Sequence, residues 1–257
     1  MGGMTGFIPT LDQIDELHHR AAPSQAAYDL IHGHCVVVAT IARQLARRRN
    51  ALFMRRCTLP ADAPERGAAV SREADAPLTA QPVVPPTEGV VGGTIPPRLI
   101  DEHMVTIGGL LHDIGTYRVL KHDGTDGKPL KFDGPNYIKH GILGYEWLLE
   151  QGVDESIAQF ARNHTGVGLT REAVERQDLP LPPDDYVPMN LEQETVMVAD
   201  KYNSKSIPPK FLTVDAYTAK AARFGEDNKR CWLDLVAQYG VPDVPALAAR
   251  FHMRIQE

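Results

Sequence analysis

The chain has 257 residues, of which 43% are hydrophobic and 23% charged, and it carries a formal net charge of −6 at pH 7. That length is enough for one large domain with a substantial core. The acidic balance argues against a general nucleic-acid-binding protein, which usually shows a basic face. A small phosphorylated ligand remains compatible with it, because a bound metal can supply local positive charge.

The cysteines and the N-terminal residues bear on the compartment. The three cysteines are an odd number, and their spacing suits neither a zinc site nor a disulfide framework, which favours a reducing compartment. The first residues lack the basic start and apolar stretch of a signal peptide. No apolar run is long enough to cross a bilayer. We therefore expect a cytoplasmic protein with no membrane partner.

The first predicted helix follows Ser24, a residue type that caps helix N-termini, and continues to about Asn50. Apolar residues at helical spacing form its buried face: Ile31, Cys35, Val38 and Ala42. The helix also contains His32 and His34, and spacing alone does not decide which of them is functional.

Residues 55–97 have a different character. They are rich in Pro, Ala and Gly and show no steady period, which predicts a long loop or insertion. Insertions of that length are usually functional or disordered. The ordinary interpretation is a mobile surface segment. The alternative is a lid or a dimerisation arm, so the sequence leaves open whether the chain forms a homodimer.

The stretch "GGLLHDIG" places two glycines four residues before His112 and Asp113. Helical side chains lean back over the preceding turn, so these two polar groups would lie over Gly108 and Gly109. A mid-helix glycine costs about 0.5–1 kcal/mol relative to alanine. The pair therefore predicts either open space beneath two metal ligands or close packing between helices.

Cap residues predict the other helix boundaries. We expect Pro96 and Pro97 to open the helix that leads to His112, and Gly115 to end it. Further caps are expected at Asp154, at Thr170, and at Asn190, which would form a capping box with Gln193. Residues 214–240 and 245–257 are predicted as two amphipathic helices. With no credible strand pattern, the expected fold is all-α.

Six titratable residues lie at the edges of apolar stretches, where an unpaired charge costs free energy. They are His34, His112, Asp113, His140, His164 and Asp200. A shared metal ion would satisfy all of them, since His and Asp are ligands for Fe, Mn, Zn and Mg. Singly, each has an ordinary alternative: a core or surface histidine, or an Asp200 that caps a helix or pairs with Lys201 or Lys205. His122 competes with the ligands near the His-Asp pair.

Three motifs together resemble the HD-domain superfamily of metal-dependent phosphohydrolases over about residues 24–205. They are "HCVVVATIA" beginning at His34, "LLHDIG", and "VMVADKYNS" with Asp200. The first favours His34 over His32. "KHGILGYEWL" and "ARNHTGVGLT" resemble the two extra histidines of members with a two-metal centre. These include the HDIG subgroup and bacterial HD hydrolases of diadenosine tetraphosphate.

The resemblance implies an HD-domain helical bundle, with residues 1–257 as a single domain. Its metal-site core would span about 24–205, interrupted by the insertion at about 55–97. A C-terminal helical extension would follow over about 210–257.

The resemblance also implies a ligand set for two divalent ions, with Fe or Mn expected first and Zn, Mg or Ni as other candidates. One ion would be bound by His34, His112, Asp113 and Asp200. The other would be bound by His140 and His164, with Asp113 bridging the two. Gly108 and Gly109 would then both leave room beneath the ligands and let the helix pack closely.

The function implied is hydrolysis of a nucleotide or related phosphate ester or anhydride through a metal-bridging hydroxide. His112 and Asp113 would be catalytic, with Arg118 and Lys121 as cations near the phosphate. Expected substrate-binding residues are Lys139, Thr165, Arg171 and Lys205. The alternatives are a di-iron HD-fold oxygenase and a non-catalytic nucleotide or metal sensor. Aromatic residues are expected in the core rather than under a base: Tyr28, Tyr137, Tyr145 and Trp147.

Overall fold

The structure is a computed structural model that describes residues 6–58 and 85–257. Across these two ranges the chain forms ten α-helices and seven strands of two or three residues, so the predicted all-α class is confirmed. Residues 59–84, most of the predicted insertion, lie outside the described part. The helices are α1 (Leu11–Ala21), α2 (Gln25–Thr58), α3 (Glu102–Leu111), α4 (His140–Glu150), α5 (Glu155–Arg162), α6 (Arg171–Arg176), α7 (Leu191–Asp200), α8 (Val214–Ala222), α9 (Glu226–Tyr239) and α10 (Val244–Phe251).

The long helix α2 is the centre of the fold and packs against α3 and α7. Its predicted cap is confirmed, because Ser24 Oγ accepts a hydrogen bond from the backbone N–H of Ala27 at 3.2 Å. The predicted stripe is fully buried: Ile31, Cys35, Val38 and Ala42. The helix continues to Thr58, three residues past the start expected for the insertion.

The glycine pair of α3 lets two other helices approach closely. A Cβ on Gly109 would lie 2.6 Å from the Cα of Ala39 on α2, and one on Gly108 would overlap the ring of Phe160 on α5. The space beneath the two ligands is therefore filled by neighbouring helices. Close packing is confirmed as the reason for the glycines, and the expectation of open space is wrong.

Helix α3 has different boundaries from those predicted. It begins after Asp101, whose side chain accepts hydrogen bonds from the backbone of His103 and Met104, so the proline start is wrong. It ends at Leu111, ahead of the predicted stop at Gly115, because the chain enters a 3-10 turn at Ile114–Val119. His112 and Asp113 thus follow the helix.

The caps expected at Asp154 and Thr170 are confirmed. Asn190 also accepts from the backbone N–H of Gln193 at 2.9 Å. The Gln193 side chain, however, accepts from the backbone of Met189, so only half of the predicted capping box forms. Helix α1, which was not predicted, begins with a complete capping box of Thr10 and Gln13.

The C-terminal part contains three helices where two were predicted. Gly225, with φ of +112°, separates α8 from α9, because such a φ suits glycine and interrupts a helix. Residues beyond α10 form strand β7 (Arg254–Gln256), which runs parallel to β5 (Lys210–Leu212). Strand β5 pairs with β4 (Asn203–Ser204), directly after α7, so this small sheet supports the end of that helix.

Two further sheets have two antiparallel strands each. One joins β1 (Val90–Val91) to β6 (Val241–Pro242), which ties the last part of the predicted insertion to the C-terminal helices. The other joins β2 (Leu120–His122) to β3 (Lys131–Phe132). Among the helices that the structure describes, none combines the length and the apolar character needed to cross a membrane.

Candidate metal centre

All six predicted ligands converge at one buried place. They come from the ends of elements and the middle of α2: His34 within α2, His112 and Asp113 after α3, His140 at the first residue of α4, His164 just beyond α5, and Asp200 at the last residue of α7. His164 lies just past Asn163, the C-cap residue of α5.

The first group of ligands contains two histidines and two aspartates. His34 Nε2 lies 3.1 Å from Asp113 Oδ2 and 3.1 Å from Asp200 Oδ1. His112 Nε2 lies 3.6 Å and 3.5 Å from the same two oxygens. One ligand atom from each residue lies within 4.8 Å of the others, which is compatible with one shared ion.

The second group of predicted ligands lies around Oδ1, the other carboxylate oxygen of Asp113. Asp113 Oδ1 lies 3.5 Å from His140 Nε2 and 3.4 Å from His164 Nε2. The two Nε2 atoms are 3.0 Å apart. Asp113 therefore turns one carboxylate oxygen toward each group, which is the geometry of a bridging ligand.

Hydrogen bonds at the opposite ring nitrogen fix the tautomer of all four histidines. The Nδ1 atom faces an oxygen in each case: Asn203 Oδ1 for His34 (2.7 Å), and the carbonyls of Gly109 for His112 (2.8 Å), Tyr137 for His140 (2.6 Å) and Ala161 for His164 (2.8 Å). A carbonyl oxygen only accepts, so Nδ1 holds a proton in each ring and Nε2 of His112, His140 and His164 presents a lone pair to the centre. At His34, burial lowers the pKa, but hydrogen bonds to the Asp113 and Asp200 carboxylates outweigh it and raise the pKa.

These lone pairs are the best test of whether metal ions fit the site. His112 Nε2 is buried and has no hydrogen-bond partner, which is costly unless a cation occupies the position it faces. The Nε2 lone pairs of His140 and His164 face each other and would repel without a cation. Nitrogens that bind one ion at about 2.1 Å lie roughly 3 Å apart at a right angle, close to the observed separation. The residues present therefore fit divalent metal ions.

Burial and charge set the protonation states that a metal centre requires. Burial lowers the pKa of His112 to about 4 and that of His140 to about 3, so both imidazoles are neutral near neutral pH. Burial alone would raise the pKa of Asp113, but the Lys205 ammonium and the imidazoles outweigh it and hold that pKa well below its usual range. Lys201 does the same for Asp200.

The competing histidines lie elsewhere. His32 stacks on the ring of Tyr28 with centroids 4.7 Å apart, and its Nε2 lies 4.0 Å from Asp15. His122 pairs with Asp126 through Nδ1 at 2.7 Å on a partly exposed strand. Neither belongs to the groups of ligand atoms, so the structure places His34 in the centre, as the motif favoured.

A cavity of about 390 Å³ opens beside the ligands and is lined by His140, His164 and Asp200. Of the predicted phosphate-binding residues, Thr165 and Lys205 line it. Lys205 contacts Asp113 and lies 3.5 Å from His34 Nε2.

The other predicted cations do not line this cavity: Arg118, Lys121, Lys139 and Arg171. Arg118 and Lys121 are exposed on the segment after the His-Asp pair. Arg171 lies 3.7 Å from Asp184 on the surface, and Lys139 is half-buried before His140. The folded chain does not bring these four predicted phosphate-binding cations to the candidate metal centre.

Sequence reasoning also misplaced or missed residues at the site. Tyr137 was expected in the core, but it lines the cavity and stacks on His140 with centroids 4.7 Å apart. Lys201 appeared only as a pairing partner of Asp200, and Asn203 and Lys220 were not considered. Lys201 and Asn203 stand in the motif "VMVADKYNS", which was used only for Asp200, whereas no motif or period marks Lys220. Trp147 is buried in the core, as expected.

The all-α fold and the clustered His and Asp side chains are those of a helical domain with a candidate metal centre. Comparison with known proteins identifies its family. The chain matches the HD domain family model over residues 31–204, a range that includes all six predicted ligands, and it belongs to that family.

Similar proteins cover only part of this sequence. An uncharacterized protein of Methanocaldococcus jannaschii is 43% identical over 101 residues, which are 39% of this chain and 49% of that protein. A tRNA (cytidine(56)-2'-O)-methyltransferase of Picrophilus torridus is 37% identical over 100 residues, 39% of this chain and 24% of that protein. The chain thus spans at most about half the length of these relatives.

A solved structure has a low overall similarity to this one. It is the HD domain of the L. monocytogenes phosphodiesterase PgpH, with a TM-score of 0.43 and 13% sequence identity. The alignment covers 93% of this chain and 99% of that one.

Proposed function

We propose that this protein is a metal-dependent phosphohydrolase that acts on a small phosphorylated substrate, with a nucleotide as the expected class. The observation that carries the proposal is Asp113. One of its oxygens faces His34 and the other faces His164, so a single carboxylate joins two groups of metal ligands. Paired divalent ions are a recurrent device for hydrolysing phosphate esters and anhydrides.

Two bound ions would lower the pKa of a water molecule far below its value in bulk water and would neutralise charge on the phosphoryl oxygens. The protein's own residues supply the rest. The four histidines turn fixed Nε2 atoms toward the centre, and burial keeps water from competing for them. Lys205 holds positive charge where the ligands meet the cavity, and Thr165 offers a hydroxyl at the same wall.

The cavity itself supports a small-molecule substrate. Its volume of about 390 Å³ falls in the range typical of such sites. Its walls combine polar groups near the ligands with apolar side chains, including Leu169, Leu179 and Phe224. That division suits a molecule with an anionic end and a less polar end.

The test is phosphate release by manganese- or iron-loaded protein from a panel of nucleotides and phosphoesters, with oxygen uptake recorded in parallel. We expect release without oxygen uptake, and a loss of about two or more orders of magnitude in Asp113→Asn and His34→Ala. His32→Ala is the matched control, since that ring lies outside the centre, and it should retain activity. Absence of release across the panel, oxygen consumption instead, or full activity in Asp113→Asn would overturn the proposal.

A further inference from the structure

One wall of the cavity comes from helices beyond the part of the chain that matches the HD domain family model. Beyond Lys205, the residues that line it are Leu212, Tyr217, Lys220, Ala221, Phe224 and Asn228. They lie on β5, on α8, on the turn after it and at the start of α9. The C-terminal helices therefore face a substrate bound at the metal centre.

Three lysines line this cavity, and they differ in their partners. Lys205 contacts Asp113, and Lys201 Nζ lies 2.8 Å from Asp200 Oδ2. For Lys220, no Asp or Glu oxygen of the described ranges lies within 4.0 Å of Nζ. Among the three cavity lysines, Lys220 is therefore the one whose ammonium has no carboxylate partner in the described part of the chain.

Lys220 is exposed and lies against a buried aromatic pair. Its Nζ lies 5.6 Å from the ring centroid of Tyr217, one turn earlier on α8. Tyr217 packs edge-on against Trp232 of α9, with centroids 4.7 Å apart. The Trp232 indole N–H donates to Thr218 Oγ1 at 3.1 Å, which fixes the two helices relative to each other. The lysine stem therefore rests on a rigid surface.

The electrostatic surroundings of Lys220 favour an anion. Burial, followed by the positive charge of Lys201, lowers the pKa of Lys220 from its usual value, and the Asp200 carboxylate partly opposes this shift. An anion bound beside Lys220 would pair with this ammonium, for which the described ranges provide no carboxylate partner.

We propose that Lys220 is a specificity-determining residue that binds a second anionic group of the substrate. The enzyme would then prefer substrates with two linked phosphoryl groups over monophosphates. One phosphoryl group would lie at the metal centre and the next would pair with Lys220. The inference rests on the proposed function, since it requires the first phosphoryl group to bind at the centre.

The test is calorimetric binding of imidodiphosphate and of inorganic phosphate to the full, manganese-loaded chain. The non-hydrolysable P–N–P linkage separates binding from turnover. We expect imidodiphosphate to bind about tenfold or more tightly than phosphate. Lys220→Gln should remove most of that preference and leave the phosphate Kd unchanged, whereas Lys220→Arg should keep it. The matched control is Lys229→Gln on α9, whose native lysine pairs with Glu226 away from the cavity.

Equal binding of the two anions by the native chain would overturn the role of Lys220, as would an unchanged preference in Lys220→Gln. A similar loss in Lys229→Gln would do so too, because it would reveal a general charge effect. Phosphate release from the substrate panel is scored separately. If release persists while the preference is absent, only the Lys220 inference fails; if no substrate is hydrolysed, the proposed function fails first.

Discussion

Lys201 donates a hydrogen bond of 2.9 Å from Nζ to the backbone carbonyl of His164. The same Nζ lies 2.8 Å from Asp200 Oδ2. Asp200 belongs to the first group of ligands and His164 to the second. One lysine, with a side chain only 5% exposed, therefore links the two groups and holds both in place.

Replacing this lysine should weaken metal binding at both positions. In Lys201→Gln the Asp200 carboxylate loses its charge partner and the His164 carbonyl loses a donor. Residues that orient metal ligands typically contribute about 10–100-fold to metal affinity, and we expect a loss of that size. Competition with a chromophoric chelator measures it, with Lys229→Gln as the control. Native affinity in Lys201→Gln would show that the ligands hold their positions without it.

The second group of ligands predicts a change in metal stoichiometry. His140→Ala removes one of two imidazoles that share Asp113 Oδ1, so metal content should fall from about two ions per chain toward one. Elemental mass spectrometry on protein purified without chelator measures the ratio. His122→Ala is the matched control, because that ring pairs with Asp126 away from the centre. Unchanged stoichiometry in His140→Ala would remove His140 from the centre.

Two glycines should respond in opposite ways to alanine. Gly109→Ala places a Cβ 2.6 Å from the Cα of Ala39, so α2 and α3 must separate, at a cost of about 1–3 kcal/mol in the free energy of unfolding. A Cβ on Gly33, within α2, would meet nothing within 4 Å. Gly33→Ala should stabilise the fold by about 0.5–1 kcal/mol. Urea unfolding of both variants measures the difference, and equal effects would contradict the packing argument.

The sequence predicted which titratable residues converge at the candidate centre better than it predicted the walls of the cavity. Each ligand stands next to an apolar run and in a motif, so spacing and resemblance both mark it. The helix end at Leu111 was missed because Asp113 adopts neither helical nor extended backbone angles, which the pattern "LLHDIG" does not reveal. The unpredicted Lys220 is 20 positions from Asp200 and reaches the cavity only because α8 folds back beside it.

The phosphate-binding predictions show the same limit. Arg118 and Lys121 were chosen because they follow the His-Asp pair closely, yet both are exposed. Lys205, also predicted to bind substrate, follows β4 directly, and its ammonium reaches Asp113. Nearness in sequence to a predicted ligand identifies a cavity residue only where the fold brings that side chain back to the cavity.

The last prediction concerns stability at acidic pH and a histidine outside the metal centre. His18 is fully buried, with Nε2 2.8 Å from the carbonyl of Leu110 and Nδ1 2.9 Å from the Tyr117 hydroxyl. Nε2 therefore donates and Nδ1 accepts, which is a neutral ring. Burial lowers its pKa from 6.5 to about 4 in the folded chain.

Because the unfolded chain binds a proton at His18 more readily, folding stability falls as the pH drops below about 6.5 and levels off below the folded pKa near 4. Between about pH 7 and about pH 5 this one group should cost the native protein about 2 kcal/mol of unfolding free energy. His18→Gln lacks the titrating ring, so its loss over the same interval should be smaller by about that amount. Both proteins are unfolded in urea at each pH with identical metal loading, so the other histidines contribute equally and cancel. Equal losses would mean that His18 titrates alike in the folded and unfolded chains and that its burial carries no penalty for charge.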